Sequence, residues 1–456
     1  MPIAQWGSGE ESDATKTKGK LGCSPRHSSC DWAAHSCDYP GVFLSLAGGF
    51  AEAQQTTPTV RITLDQAIRL ALEHNHALQA ARTTIQQSQA QETTANLRPN
   101  PVLSGDYNFV PAFSPSYFGV PASQVPLPQE GDASVAYTVE LWHKRQARLT
   151  AARDESAVTH SSIADNERSL AFQVSSQFID VLLAESTLNF AQQGLKSFQH
   201  TVDVSAERYR AGDVSQGDFL KIQLQLLQFQ TDVSTAQLGR IQSLAALRQL
   251  VGFESVPGEF DVDGQLDYEP VDASLDDLKA LALRSRPDLR AAEQSITSAQ
   301  SQYNLAKVTG KPDVTPQIGY SHASDEHTLD FGFSINLPVF NRNQGEIART
   351  HYAIVQSQQL ARETMQQVST DVVDAYAAVH TSGQIVEFYR GGYLDQNKLS
   401  LDINEYAYMH GAASLLDFLD AERTYRANQL AYRQTLATYM TALEQLRQAV
   451  ATRNLQ

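Results

Sequence analysis

Between Gln146 and about His200, apolar side chains recur at three- and four-residue spacing. Leu170, Val174, Phe178, Val181 with Leu182, and Leu188 would form one stripe on a helix. No proline lies between Pro128 and Pro257 or after Pro338, and both stretches are rich in the helix formers Ala, Leu, Gln, Glu and Arg. The pattern predicts long helices over 143–250 and 341–450. At 1.5 Å per residue, an unbroken helix from 146 to 200 is on the order of 80 Å long. That is too long for a compact domain, so such helices must pack side by side as an elongated coiled bundle.

Four other segments alternate apolar with small or polar residues and predict strands at about 101–109, 133–141, 313–321 and 328–337. In the last of these Leu329, Phe331, Phe333, Ile335 and Leu337 share one face, and Thr328, Asp330, Gly332, Ser334 and Asn336 share the other. A proline-rich loop, 110–129, joins the first pair. Strands of roughly 8 to 10 residues cross a bilayer when tilted. Four cannot close a barrel, and an open sheet in lipid leaves its edge groups unsatisfied, so several chains must pool their strands.

The chain repeats itself. Thr63-Leu-Asp65-Gln66 returns as Ser274-Leu-Asp276-Asp277 in ungapped register with Ala71-Leu72 and Ala282-Leu283. Tyr209-x-x-Gly212-x-x-Ser215-x-x-Asp218-Phe219-Leu220 returns as Tyr408-x-x-Gly411-x-x-Ser414-x-x-Asp417-Phe418-Leu419. The units predicted are 54–257 and 274–456, with a linker at 258–273. In front of them, Gly41 to Ala53 reads as a short apolar run closing on Ala51-Glu52-Ala53, a signal-peptidase pattern, so 1–53 is expected to be a leader cut before Gln54. All three cysteines, Cys23, Cys30 and Cys37, lie within it. The charge balance, 35 Lys+Arg against 51 Asp+Glu, gives −16, the wrong sign for holding nucleic-acid phosphates.

The motif at 63–72, the Leu97-Arg-Pro-Asn-Pro101 junction and the doubled Tyr-x-x-Gly-x-x-Ser-x-x-Asp element resemble the TolC-like outer-membrane factors of tripartite efflux systems. Arg98-Pro-Asn-Pro101 and Glu140-Leu-x-x-Lys144-Arg145 further resemble the heavy-metal efflux branch, with Trp142-His143 standing where that branch usually has Gly-Gly. The resemblance implies a mainly α fold with a small membrane β part. Three chains would each give four strands to a twelve-stranded outer-membrane barrel that continues into a periplasmic helical tunnel. It also implies passive export of small molecules or metal ions from a tripartite efflux or type I secretion-like system, with a periplasmic adaptor, an inner-membrane pump and outer-membrane lipid as partners. The competing reading is a coiled-coil scaffold without a pore, which would have no use for exposed apolar strand faces.

Ser215-x-x-Asp218 and Ser414-x-x-Asp417 read as capped helix starts after a helix-to-helix turn. Asp420 shares a face with Asp417, and no cap needs it. By the resemblance, Asp417 and Asp420 line the tunnel entrance as a ring of six carboxylates that favours cations, with Asp218 as the first unit's counterpart. The turns Gly212-Asp213-Val214-Ser215 and Gly411-Ala412-Ala413-Ser414 are the implied adaptor contacts. An arginine that closes the entrance in some relatives is replaced by Ala413, leaving Arg208 or Arg210 as substitutes. His322 and His327 are expected in a hairpin loop, as ordinary turn residues and not metal ligands. His74 and His76 would lie on different sides of one helix. Tyr107, Phe109, Tyr117, Phe118, Tyr137, Trp142, Tyr320 and Phe340 flank the strands as an interfacial belt. No catalytic motif, nucleotide loop or cofactor fingerprint is present.

Overall fold

Side chains that satisfy helix ends set the punctuation. Thr63 caps α1 (Leu64–His74) in a reciprocal box with Gln66, and Ser274 caps α5 (Leu275–Ser285) by accepting from the Asp277 amide at 3.2 Å. Asn75 closes α1 in extended geometry and caps α2 (His76–Asn96), accepting from Leu78 N at 3.0 Å while its own amide donates to Leu250 O. His74 and His76 therefore sit on two helices and not on one, because Asn75 offers the backbone a better partner than a continued turn. The computed structural model describes residues 60–108, 130–323 and 326–454. The leader 1–53, its cysteines, the loop 110–129, Phe109, Tyr117 and Phe118 lie outside the described residues.

The proline-free stretches form the long helices. α3 (Lys144–Ala211) runs 68 residues, about 100 Å, and returns through α4 (Gln216–Val251). α6 (Pro287–Thr309) is the second unit's counterpart of α2. In that unit α7 (Gln344–Phe388) and α8 (Leu394–Met409) are separated by a π-helical turn, Tyr389–Tyr393, before α9 (Leu415–Val450). Within 341–450, where long helices are expected, the run ahead of the Gly411 turn is thus kinked. The cause is the Gly391-Gly392 pair, where Gly392 takes φ 103° and ends the regular ladder. No described helix is long and apolar enough to cross a membrane.

Four strands, β2 (Val102–Asn108), β3 (Glu130–Ala136), β5 (Val314–Ala323) and β6 (Glu326–Ile335), form an antiparallel sheet in the order β2-β3-β5-β6. Within this four-stranded sheet the outer sides of β2 and β6 have no strand partner. β3 stops short of 141. Tyr137 and Val139 still donate to Pro316 and Val314, but the opposite neighbour ends at Val102, where Pro101 and Pro99 have no N–H to offer. β5 runs two residues further than expected, and β6 begins two residues earlier and ends at Ile335 instead of Leu337, so His322 and His327 face each other within the ladder and not in a loop. The register places Tyr107, Leu103, Val135, Ile318, Tyr320, Leu329, Phe331 and Phe333 on one face, and Asp106, Asp132, Ser321, Thr328 and Asp330 on the other.

A second, two-stranded sheet lies in the linker region, where β4 (Phe260–Val262) pairs in parallel with β1 (Val60–Ile62). The core is divided into three clusters along the helices. One gathers Ile62, Ala67, Ile68, Val174, Phe178, Leu247 and Phe260. The second holds Leu278, Val368, Val372, Tyr439 and Leu446. The third, near the turns after α3 and α8, holds Phe198, Ile222, Phe229, Leu401, Tyr408 and Phe418.

Candidate functional site

Two helix-to-helix turns are built alike. After α3, Gly212 takes φ 88°, Gly212 N donates to Tyr209 O, and Asp213 N donates to Arg208 O at 2.9 Å. After α8, Gly411 takes φ 74°, and Ala412 N donates to Ala407 O at 2.7 Å. These left-handed positions are what glycine supplies at a helix C-terminus. Each turn then enters a capped helix. Ser215 Oγ accepts from Asp218 N at 3.1 Å and donates to Asp218 Oδ2 at 2.9 Å. Ser414 and Asp417 complete a full capping box, with Ser414 N also donating to Asp417 Oδ2 at 3.2 Å.

The same aromatic pair braces both turns. Tyr209 stacks on Phe219 with centroids 5.1 Å apart, and Tyr408 stacks on Phe418 at 5.4 Å. The turns are joined to each other by Arg208, which donates to Tyr408 O at 3.0 Å and lies over the Tyr408 ring. Arg210 pairs with Glu207 instead, at 2.5 Å on an exposed surface. Val214 and Ala413 are half-buried, while Gly212, Asp213, Ser215, Gly411, Ala412 and Ser414 are exposed.

The three candidate acids differ in setting. Asp218 is held below the usual carboxylate range by hydrogen bonds from the Lys221 ammonium, 3.1 Å away, and from the Ser215 hydroxyl. Asp417 and Asp420 are exposed and have no cation partner among the described residues. Leu416, between them and the turn, is also exposed although fully apolar.

One buried polar cluster behind this site escaped the motif reading. Glu422, Arg426 and Asp232 lie between α9 and α4, with Arg426 bonded to Asp232 and its guanidinium 4.2 Å from the Phe229 ring centre. Glu422 lies 3.6 Å from Arg426, and its Oε2 is buried without a hydrogen-bond partner. Burial pushes its carboxyl up to about 7. Arg426 pulls the other way and Asp232 adds to the rise, so desolvation wins. The signal was available, since an acid four residues after Phe418 falls on the apolar seam of α9.

At the sheet, Trp142 and His143 both adopt left-handed geometry, φ 60° and 58°, the conformation a Gly-Gly pair takes without strain. Tyr107, Trp142 and Tyr320 are exposed, Tyr137 is half-buried, and Phe340 is 93% exposed. His322 and His327 stack at 4.7 Å, and the Tyr320 hydroxyl meets His327 Nδ1 at 2.5 Å. Among the described residues no group of three or more His, Cys, Asp and Glu is arranged to hold a metal ion.

The outer membrane efflux protein profile matches residues 67–253 and 278–452. The probable outer membrane lipoprotein SilC of Salmonella typhimurium is 23% identical over 373 residues, 79% of each chain. The cobalt-zinc-cadmium resistance protein CzcC of Cupriavidus metallidurans is 23% identical over 417 residues, 87% of this chain and 94% of that one. Among solved structures, CusC superposes with a TM-score of 0.72 at 20% identity, covering 86% of this chain and 92% of that one. The Campylobacter jejuni CmeC outer membrane channel superposes with a TM-score of 0.73 at 15% identity, covering 91% and 93%.

Proposed function

This chain belongs to the outer membrane efflux protein family and is an outer-membrane efflux channel, and from that premise we propose that three copies pool their sheets into one twelve-stranded barrel above a helical tunnel. The observation that carries this reading is the four-stranded sheet. Phe331 and Phe333 are 78% and 70% exposed on its apolar face, its opposite face carries Asp106, Asp132 and Asp330, and neither edge has a strand partner among the described residues. A lipid-facing band, a wet lumen and closure by neighbours account for all three at once.

The helices carry matching seams. Leu220, Leu224, Leu227, Leu238 and Ile241 are exposed along α4 at heptad-compatible spacing, and Phe388, Leu399, Ile403 and Tyr406 are exposed along α7 and α8. Further copies of the chain would cover both. In this assembly the capped turns at 212–215 and 411–414 meet the adaptor, and Asp417 and Asp420 form the entrance ring. The pump supplies the energy and selects the cargo, while this chain is a passive duct without catalytic chemistry. CzcC is named for cobalt, zinc and cadmium resistance. Acid-lined surfaces at both the entrance and the lumen fit the passage of such cations here.

Detergent extraction of the membrane fraction followed by mass measurement tests the reading. A trimer with mixed helix and strand content is expected, and a monodisperse monomer in mild detergent sinks it.

A further inference from the structure

Where the sheet meets the helices, unpaired positive charge gathers beside exposed apolar surface. A cleft of about 510 Å³ lies between Arg98-Pro99 and the segment from Tyr137 to Gln146. The nearby acids are already engaged, Glu140 by Arg148 and Asp313 by Lys144 at 2.8 Å. Arg98, Arg145 and Lys311 are left with no carboxylate partner among the described residues. Arg145 makes one long bond, 3.5 Å, to Asn96 O, and Lys311 rests its ammonium 4.5 Å from the centre of the Trp142 ring. Trp142 is fixed by its Nε1 donating to Pro312 O at 3.2 Å and stays exposed, as do Leu97 and Leu141. Arg98 and Arg145 line the cleft and Lys311 stands beside it over Trp142, so in a chain of net charge −16 three cations without a carboxylate partner among the described residues make a local reversal of sign.

We propose that this cleft binds the headgroup phosphate of an anionic phospholipid in the leaflet on the helix side of the bilayer. The acyl chains would run up the apolar face of the sheet. The proposal rests on the outer-membrane reading above. Guanidinium groups match a phosphodiester in geometry as well as charge. A tryptophan settles at headgroup depth, its ring apolar and its N–H wet. Basic side chains next to an anionic lipid surface each add attraction that falls off within a Debye length. Zwitterionic lipids carry the same phosphate but cancel it with an amine, so the cleft distinguishes the two classes by net charge.

Trp142 reports on the site directly, because the other tryptophans are Trp6 and Trp32. With Trp6→Phe and Trp32→Phe in the full chain, Trp142 fluorescence is read in vesicles of phosphatidylcholine containing a minor fraction of phosphatidylglycerol. Bromine is placed on the acyl chains of one lipid or the other. After correction for mole fraction, brominated phosphatidylglycerol should quench several-fold more than brominated phosphatidylcholine. The combined Arg98→Gln, Arg145→Gln and Lys311→Gln variant should lose that excess while phosphatidylcholine quenching stays. Lys311→Gln alone, which leaves the Lys144–Asp313 pair intact, should lose part of it, and Lys398→Gln none. Equal quenching by the two lipids, or an excess that survives the triple variant, overturns the proposal. Loss of the excess on adding inorganic phosphate at constant ionic strength would assign the cleft to soluble phosphate and overturn the lipid source. No quenching by either lipid places Trp142 away from the acyl chains and overturns the proposal, while the barrel reading stands or falls on the trimer mass measurement.

Discussion

Arg208, at the end of one long helix, donates to the Tyr408 carbonyl at the end of another, 200 residues later in sequence, and covers the Tyr408 ring. Among the described residues this side chain is the polar link between the two turns, which also share the apolar cluster behind them. Arg208→Ala should therefore loosen the turns relative to one another while leaving the trunk intact. The loss in stability should be about 1.5 to 3 kcal/mol, the range for a charge-assisted hydrogen bond. The check is faster amide exchange confined to 205–220 and 405–420, accompanied by a higher resting conductance in planar bilayers. Uniformly faster exchange over the whole chain would show that Arg208 has no special role at the tip.

The paired acids make a sharper case. Asp417→Ala with Asp420→Ala should weaken cation selectivity and abolish block by multivalent cations added from the helix side. Stability should fall by no more than about 1 kcal/mol, the worth of the lost cap. Asp218→Ala is the comparison, since Lys221 already neutralises that acid. Equal effects from the two variants on selectivity would reduce all three residues to helix caps.

Glu422 predicts a pH dependence with a definite sign. Its carboxyl is raised by burial from the ordinary value of 4.5 to about 7, so the fold favours the protonated form. Below about 4.5 this group costs nothing. The penalty grows as pH rises between about 4.5 and 7 and is complete above, at about 3 kcal/mol for a shift of this size. Glu422→Gln should remove that slope and melt at higher temperature than the parent at pH 8, with little difference at pH 4. Parallel melting curves for the two proteins across this range would refute the assignment.

Gly391 and Gly392 offer an internal control. A Cβ added at either meets nothing within 4 Å, but only Gly392 has a positive φ, 103°. Gly392→Ala should destabilise by about 1 kcal/mol or more through backbone strain alone. Gly391→Ala should be neutral or slightly stabilising, and chemical denaturation of the pair measures the difference.

His143 carries the opposite strain, as a non-glycine residue at φ 58° whose side chain makes no cap hydrogen bond. His143→Gly should raise the melting temperature, worth up to about 1 kcal/mol after the entropic cost of glycine. A lower melting temperature would mean that the imidazole is held by contacts in the assembled channel.

The repeat, the long helices and the four alternating segments were legible because each has its own period and its own punctuation. Proline-free runs with apolar stripes became α3, α4, α7 and α9, and the Ser-x-x-Asp elements became caps. What the period could not show was local competition for backbone groups. Asn75 splits α1 from α2 by offering its own side chain, and a glycine pair kinks the α7–α8 run while α3 stays continuous. The raised carboxyl of Glu422 was hidden for another reason, although its place on the apolar seam was not. Its consequence depends on how far Arg426 is shared with Asp232 across two helices, a relation no spacing along one of them contains.

The parallel pairing of Val60–Ile62 with Phe260–Val262 also sets an order of events. The first strand of the described chain cannot find its partner until about 200 more residues have been made. At a synthesis rate of roughly 5 to 20 residues per second, that wait is on the order of 10 to 40 s. During it Ile62 and Ile68 lack the Phe260 and Val262 side chains that later join them in one core. The first half of the duplicated chain is therefore not an independent folding unit.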